Sequence, residues 1–427
     1  MRVLSAFALY VSLAAVTLAA DWSTLHSDGI EAVKRGDFTA AASLLRQALA
    51  VAATPAERGV SVNDLGVVLH QLHQEPEARR QLERAIMVWQ SGPGNLGRLA
   101  ETTEALAVVC RTLGDYPSAE RALREVLKTP PAESENYALL FNELGDILRE
   151  TGRAAEAYQF LEKTMALPGI SVRRQLDATL GLADLDRDAR HWQAAFDRWN
   201  KAIEITRQNH WPNLEAAALR GLGVTHLEHG EPARAEPLLR RALAGFEGSN
   251  APLHQVASTL SCLAQLYMAE NKPAMAEDVL QRGIDLSEKS LGTAHPQVAV
   301  LLEMLGDAVA SRNQFAQARD YYGRARVIMA ARFGEQSAIA AAVDASWAQV
   351  EYRSKHHNEA AADYEKALAV LDAAGPEAES LRATVRRNYA EVCKTLHRKS
   401  PPVTQSFRGT AASGIKSAAV GRMSQSN

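Results

Sequence analysis

Two pairs of histidines have a spacing that can bring two imidazoles to one metal ion. His70 and His73 are three residues apart, as are His226 and His229, so each pair lies on one face of a helix. A zinc site needs a third and a fourth ligand, and no cluster of cysteine, histidine or aspartate stands near either pair at a recognisable spacing. The segment at 226–229 is also too short for the His-Glu-x-x-His motif of zinc peptidases. We therefore predict that the protein holds no metal.

Other patterns that support catalysis are missing from the sequence. It contains no Gly-x-Ser-x-Gly segment, no P-loop and no dinucleotide-binding fingerprint. Asp184, Asp186 and Asp188 alternate along one segment, where most of them are expected to be solvated helix charges. We predict no catalytic residue and no cofactor, and an enzyme would need a catalytic domain beyond the segments described below.

A regular spacing of small residues organises most of the chain. Alanines recur at intervals of 37 to 42 residues, and a glycine or alanine stands twelve residues before each of them. Small residues at fixed offsets allow two helices to approach closely, and a fixed period of this length is typical of stacked helical repeats. The nine alanines are Ala41, Ala78, Ala119, Ala157, Ala195, Ala235, Ala276, Ala318 and Ala360.

The residues around these small positions predict helices. Large apolar residues such as Leu45, Leu161 and Trp199 follow each alanine by four positions, which places them on the same helical face. Breakers such as Gly36-Asp37 and Gly152-Arg153 separate the two segments of a unit, and prolines fall between units. No window alternates with period two, so the sequence predicts an all-α chain.

This pattern resembles the tetratricopeptide repeat, in which antiparallel helix pairs stack into a right-handed α-solenoid. The resemblance covers residues 21–397, as about nine helix pairs and a C-terminal capping helix, and the units are longer than the usual 34 residues. The segment Leu291–Ala299 is similar to the phrase that opens repeats of the kinesin-light-chain-like subfamily. That subfamily binds proteins and peptides in a concave groove and carries out no chemistry.

The resemblance implies that the first helix of each unit lines the groove. The subfamily's groove asparagine would fall two residues before each small position, where this sequence has residues such as Asp64, Glu143 and Cys262 and matches only at Asn388. The way in which that subfamily binds a peptide backbone is therefore not expected for this sequence. Offsets of −3, +1 and +4 from the small positions give the candidate groove residues Asn142, Asp146, Arg149, Asp184, Arg187, Arg220, Gln265, Glu303 and Asp307.

Two interpretations of these charged groove residues remain open. The three arginines present forks that fit carboxylates of a partner, and the acids suit basic side chains. Alternatively, Asp146 with Arg149 and Asp184 with Arg187 simply pair with each other one helical turn apart.

The cysteines are expected to be unpaired. Each lies in the first helix of a different unit, and repeats that are not neighbours do not touch, so we predict small core residues rather than disulfides. A reactive or intermolecular thiol is the alternative for an odd number of cysteines. The three positions are Cys110, Cys262 and Cys393.

The two ends of the chain differ from the repeats. Met1-Arg2 and the apolar stretch Val3–Ala20 are typical of a signal peptide over residues 1–20, so we expect an exported protein, periplasmic or secreted, of bacterial origin. An uncleaved anchor is the alternative. Residues 398–427 are rich in Pro, Gly, Ser and basic residues, which predicts a disordered tail.

The charge distribution along the chain argues against nucleic acid as a partner and is compatible with a protein or peptide. The net charge is −3, and six Lys or Arg residues with no acid follow Glu391, so the preceding part is clearly acidic. An acidic body is a poor ligand for nucleic acid. We predict a non-enzymatic scaffold that binds a protein or peptide, with membrane contact only through the N-terminus or the basic tail. The alternative is a membrane-anchored regulatory module that senses a peptide.

Overall fold

The computed structural model describes residues 21–91, 95–128, 134–249, 251–375 and 378–398. Within these ranges the chain forms nineteen α-helices and no strand, which confirms the all-α prediction. The helices are α1 (Trp22–Lys34), α2 (Phe38–Val51), α3 (Pro55–Gln71), α4 (Glu75–Gln90), α5 (Leu96–Thr112), α6 (Tyr116–Leu127), α7 (Ser134–Glu150), α8 (Ala154–Ala166), α9 (Val172–Asp188), α10 (Trp192–Gln208), α11 (Pro212–Glu228), α12 (Pro232–Gly248), α13 (Leu253–Ala269), α14 (Pro273–Leu291), α15 (Pro296–Ser311), α16 (Phe315–Phe333), α17 (Ala338–Arg353), α18 (His357–Ala373) and α19 (Glu379–Thr395).

Odd-numbered and even-numbered helices form pairs, and α19 closes the series. We call the odd-numbered helices the first helices and the even-numbered ones the second helices. All nine alanines of the repeating position lie in second helices and are completely buried. The large residue that follows each by four positions packs against the first helix, as where Leu82 contacts the backbone at Gly66. Close helix contact therefore depends on the small positions, as the spacing predicts.

One backbone conformation ends the first helix of every pair. Gly36, Gly114, Gly152 and Gly230 have φ between 76° and 86°, the left-handed conformation that glycine adopts without steric cost. The other five pairs use a non-glycine residue in the same conformation, five residues before the buried alanine. These residues are His73, Arg190, Asn271, Asn313 and Lys355, with φ between 56° and 68°.

Side-chain caps start several of the helices. Thr54 and Glu57 form a complete capping box at α3, in which each side chain accepts from the other's backbone N–H. The second helices α14 and α16 are extended to 19 residues, which accounts for part of the long repeat. Gly292 and Gly334, with φ of 89° and 99°, follow these two helices and turn the chain toward the next pair.

The chain divides into two compact units, one up to Gly181 and one from Leu182, with the boundary inside α9. The predicted signal peptide at 1–20 lies outside the described residues, as does the predicted tail apart from Arg398. In the ranges given above, no helix combines the length and the apolar character that a membrane crossing requires.

Candidate functional site

In the first unit, α7 carries three of the candidate groove residues on one stripe. Asn142 is buried, and its Nδ2 donates to the carbonyl oxygen of Arg174 on α9 at 3.1 Å. Asp146 follows one turn later with 34% of its side chain exposed, and its Oδ2 lies 3.7 Å from Arg111 Nη1. Arg149 is the third and is partly buried. The three residues therefore share one stripe of α7, and the acid among them also contacts an arginine of a neighbouring first helix.

Several enclosed charges of this unit are ones that the sequence did not single out. Arg111 on α5 is only 8% exposed, and its Nη1 lies 3.2 Å from Glu143 Oε1 on α7. Its Nε lies 4.0 Å from Glu150 Oε1, which is on the same helix as Glu143. The offsets used for the other units, applied to the small position Ala107, would have given Arg111 and Glu104. Glu143 occupies the position of the subfamily's groove asparagine.

Burial controls the protonation of these acids. It raises the pKa of Glu143 to about 8, against the opposing effect of Arg111. Burial also raises the pKa of Glu104 and of Glu150, with Arg174 and Arg111 respectively as the main opposing charges. Because burial outweighs the effect of Arg111, the raised pKa favours the protonated form of Glu143 at neutral pH.

In the second unit, Asp184 and Arg187 on α9 pair with each other. Arg187 Nη1 lies 2.6 Å from Asp184 Oδ1, which confirms the pairing alternative for these two residues. Arg187 is 13% exposed and also lies near Asp188 at 2.9 Å and Glu228 at 3.7 Å. Burial opposes its charge, but the three carboxylates raise its pKa overall. The guanidinium of Arg187 is therefore already paired with carboxylates of the protein itself.

Arg220 on α11 is held rigidly but is not paired with an acid. Its Nη1 donates to Gln255 Oε1 on α13 at 2.9 Å, and the guanidinium carbon lies 5.3 Å from the ring centroid of Phe246. Among the residues that the structure describes, no carboxylate lies within 4.0 Å of it. Burial lowers its pKa, and Cys262 and Asp184 act in the opposite direction. Arg220 therefore places a cation on a first helix without an ion pair, and Asp184 acts on it only from a longer distance.

The remaining candidates lie on α13 and α15. Gln265 is partly buried on α13. Asp307 accepts a hydrogen bond from the hydroxyl of Tyr322 on α16 at 2.9 Å, so it is engaged within its own helix pair. Burial raises the pKa of Tyr322, and Asp307 and Glu303 add to this effect. Asp307 therefore helps to anchor a tyrosine, whereas Glu303 acts on it only through its charge.

Each pair of histidines contacts one glutamate. His70 Nδ1 lies 2.8 Å from Glu75 Oε2, and His226 Nδ1 lies 2.7 Å from Glu231 Oε2. The second histidine of the latter pair, His229, lies 3.5 Å from the other oxygen of Glu231. In the described part of the chain, no three His, Cys, Asp or Glu residues are placed to hold a metal ion. The histidines instead connect the end of a first helix to the start of a second one.

The three cysteines are free and buried in α5, α13 and α19. Burial raises the pKa of the Cys110 thiol to about 11 and also raises that of Cys262. A thiol that does not ionise is a poor nucleophile. The cysteines thus fit the prediction of core residues.

A surface cavity of about 330 Å³ lies mainly against second helices, where no candidate was predicted. Met87 on its rim is 61% exposed. The lining residues are Leu49, Arg58, Val62, Arg84, Met87, Val88 and Ser91.

Comparison with known proteins agrees with the helix pairing. A sequence profile of the tetratricopeptide repeat matches residues 58–131, 175–248 and 255–330, and a second profile of this repeat matches residues 105–166. No protein with a curated description matches the chain in sequence.

Solved structures share this fold at low sequence identity. A Rap protein complexed with competence and sporulation factor is similar with a TM-score of 0.55 and 14% identity, over 87% of this chain and 99% of that one. A tetratricopeptide repeat protein from Parabacteroides merdae has a TM-score of 0.50 and 17% identity, over 67% and 98%. A putative kinesin light chain from Podosopora anserina has a TM-score of 0.41 and 18% identity, over 46% and 94%.

Proposed function

Because this chain belongs to the tetratricopeptide repeat family, we propose that it is an exported, non-enzymatic scaffold that binds a protein or peptide on its first helices. Repeats of this kind bind protein or peptide partners through the surface that stacked first helices create. The Rap protein of similar fold was solved in complex with competence and sporulation factor, which supports binding of a partner rather than catalysis.

Arg220 is the observation on which the proposal rests. A cation that is partly buried, oriented by Gln255 and stacked on Phe246 loses solvation without gaining an ion pair. A carboxylate from a partner would supply the missing charge, and the planar fork is already oriented for it. The neighbouring Arg187 differs, because its carboxylates come from the protein itself. We therefore place an acidic group of the partner at Arg220.

The test begins with cross-linking in the native compartment and identification of the captured protein by mass spectrometry. We expect Arg220→Gln to weaken binding of that partner about tenfold or more, the value of one charge-assisted hydrogen bond. Arg241→Gln is the matched control, because Arg241 is 55% exposed on the second helix α12. Full affinity in the Arg220 variant would disprove the site.

A second control addresses the cavity on the second helices. Met87→Ser removes its exposed apolar side chain without adding charge. The proposal expects unchanged affinity for the captured partner. A loss in this variant with no loss in Arg220→Gln would move the binding surface to the second helices.

Export is proposed from the N-terminal sequence, where one positive charge precedes a short apolar stretch that ends in small residues. The alternative is a membrane-anchored regulatory module that senses a peptide through the same helices. The intact mass of the protein from its native compartment separates the two. Loss of about twenty residues supports the exported scaffold, and a full-length, membrane-bound chain supports the anchored module.

A further inference from the structure

The first helices of the first unit enclose more acids than bases. We define the α5–α7 cluster as Glu104, Asn142, Glu143, Asp146 and Glu150. Arg111 contacts three of its carboxyl groups, at 3.2 Å, 3.7 Å and 4.0 Å. Three carboxyl groups therefore share one central guanidinium, which also acts on the charge of Glu104 from a longer distance.

The surrounding charges do not restore the balance. Arg149 acts on Glu150, and Arg174 acts on Glu104. Arg174 itself lies 3.3 Å from Glu135 and 3.4 Å from Asp177, so its charge is divided among further acids. Glu101 adds a negative charge near Glu104, and the Tyr116 hydroxyl bonds to Glu150. The acids of the cluster, together with Glu101, therefore outnumber the three guanidinium groups that act on them.

A second observation, independent of the charges, concerns Asn142. Asn142 is 7% exposed, and its side-chain oxygen Oδ1 is buried without a hydrogen-bond donor. The amide orientation is fixed, because Nδ2 donates to the Arg174 carbonyl at 3.1 Å. Glu143 Oε1 is likewise buried and receives no hydrogen bond. A buried acceptor without a donor costs free energy, so these two oxygens favour a group that donates hydrogen bonds, although the Arg111 guanidinium already lies 3.2 Å from Glu143 Oε1.

One acid of the cluster is accessible. Asp146 is 34% exposed, whereas the side chains of Glu143 and Glu150 are 8% and 5% exposed. Asn142 lies one turn before Asp146 on the same stripe of α7. Asp146 is therefore the carboxylate of the cluster that an incoming donor group can reach.

We propose that the α5–α7 cluster binds the guanidinium or ammonium group of a basic side chain in the partner. This cation adds a positive charge beside the Asp146 carboxylate and offers a hydrogen-bond donor to the Asn142 oxygen. It also takes the place of the proton that Glu143 carries near neutral pH, because a nearby cation favours the ionised carboxylate. Binding therefore releases a proton. The inference rests on the proposed function, since it specifies the chemistry of one position in the partner.

A defined peptide tests this cation site without knowledge of the partner. The probe is acetyl-Ala-Ala-Arg-Ala-Ala-amide, titrated calorimetrically into the full chain at pH 7 in phosphate and in Tris. The same peptide with citrulline in place of arginine keeps the shape and removes the charge. We expect binding of the arginine peptide only, with heats that differ between the buffers by the ionisation of up to about one proton. Equal binding of both peptides, or of neither, would overturn the proposal.

Two substitutions locate the site. Asp146→Asn removes the accessible carboxylate, and we expect it to weaken the arginine peptide about tenfold. Asp320→Asn removes an exposed carboxylate from the second helix α16 and should change nothing. Glu143→Gln mimics the protonated carboxyl, so we expect it to weaken the peptide as low pH does and to abolish the released proton. An unaltered affinity in Asp146→Asn, or an unaltered proton release in Glu143→Gln, contradicts the assignment.

The pH dependence gives an independent measurement. Burial raises the pKa of Glu143 to about 8, so the proton must leave at lower pH before the cation binds. Affinity for the arginine peptide should rise nearly tenfold from pH 6 to pH 7 and level off above about pH 8. A flat profile refutes the cation site alone, because partner capture through Arg220 is a separate measurement on the other unit.

Discussion

Adding one methyl group at Gly66 tests whether the small positions are required for close helix contact. A Cβ at this residue would lie 2.7 Å from Leu82 Cγ and 3.3 Å from the carbonyl oxygen of Ala78. The first contact is to a branch point and the second to backbone, so a rotamer change cannot relieve both. Overpacking of this kind costs about 1–3 kcal/mol. Gly66→Ala should therefore be destabilised relative to its control by about that amount.

The control is Gly323→Ala. Gly323 is exposed in the middle of α16, and a Cβ there would meet nothing within 4 Å. Both substitutions gain about 1 kcal/mol of helix propensity and unfolded-state entropy, so only the packing cost separates them. Urea denaturation followed by circular dichroism gives the stabilities, and hydrogen exchange of α3 and α4 localises the effect. If Gly66→Ala were stabilised as much as Gly323→Ala, there would be space for a methyl group between α3 and α4. The close-packing interpretation would then be refuted.

Three further predictions concern protonation, turns and thiols. Burial raises the pKa of Glu143 to about 8 in the folded state, so the folded chain binds more protons and stability should fall from about pH 5 to pH 8. Glu143→Gln should flatten this fall in urea midpoints, and an unchanged slope would contradict the assignment. Lys355 has φ of 68°, so Lys355→Gly should raise the thermal midpoint and Lys355→Ala should not, since the left-handed conformation costs a side chain about 1–2 kcal/mol. The three buried cysteines should leave reducing and non-reducing gels alike, and a shifted or dimeric band would disagree.

The helix pairs were predictable because their cause is local. Ala41, Ala195 and Ala360 are completely buried, as a recurring small residue at a helix–helix contact must be. The turns were predicted only in part. A glycine such as Gly152 indicates a left-handed turn. Arg190 adopts the same conformation with φ of 60°, although arginine has no preference for this conformation that the sequence could reveal. The turn at Arg190 is closed by backbone hydrogen bonds from Arg190 N–H to Arg187 O at 2.9 Å and from His191 N–H to Asp186 O at 2.7 Å, and it forms against the residue's own preference.

The contacts of the candidate site, unlike the helix pairs, depend mostly on residues that are distant in the sequence. Asp184 and Arg187 lie one turn apart on α9, so their pairing follows from helix geometry and was foreseen as one of two alternatives. Arg111 and Glu143 belong to different helix pairs, and their contact at 3.2 Å depends on how α5 and α7 pack. The offset rule finds Arg111 once it is applied to Ala107, but it does not show which acids the guanidinium meets.

The sequence by itself determined the helices, their pairing and the faces that meet, because these depend on side-chain size at fixed offsets along one chain segment. Only the tertiary structure decided which charges are satisfied. Arg220 meets Gln255 thirty-five residues later, and Asn142 meets Arg174 thirty-two residues later. Such contacts depend on distances of a few ångströms between neighbouring helices, which the repeat period does not specify. Charge compensation is therefore a property of the packed stack, and so is the position of any group left to bind a partner.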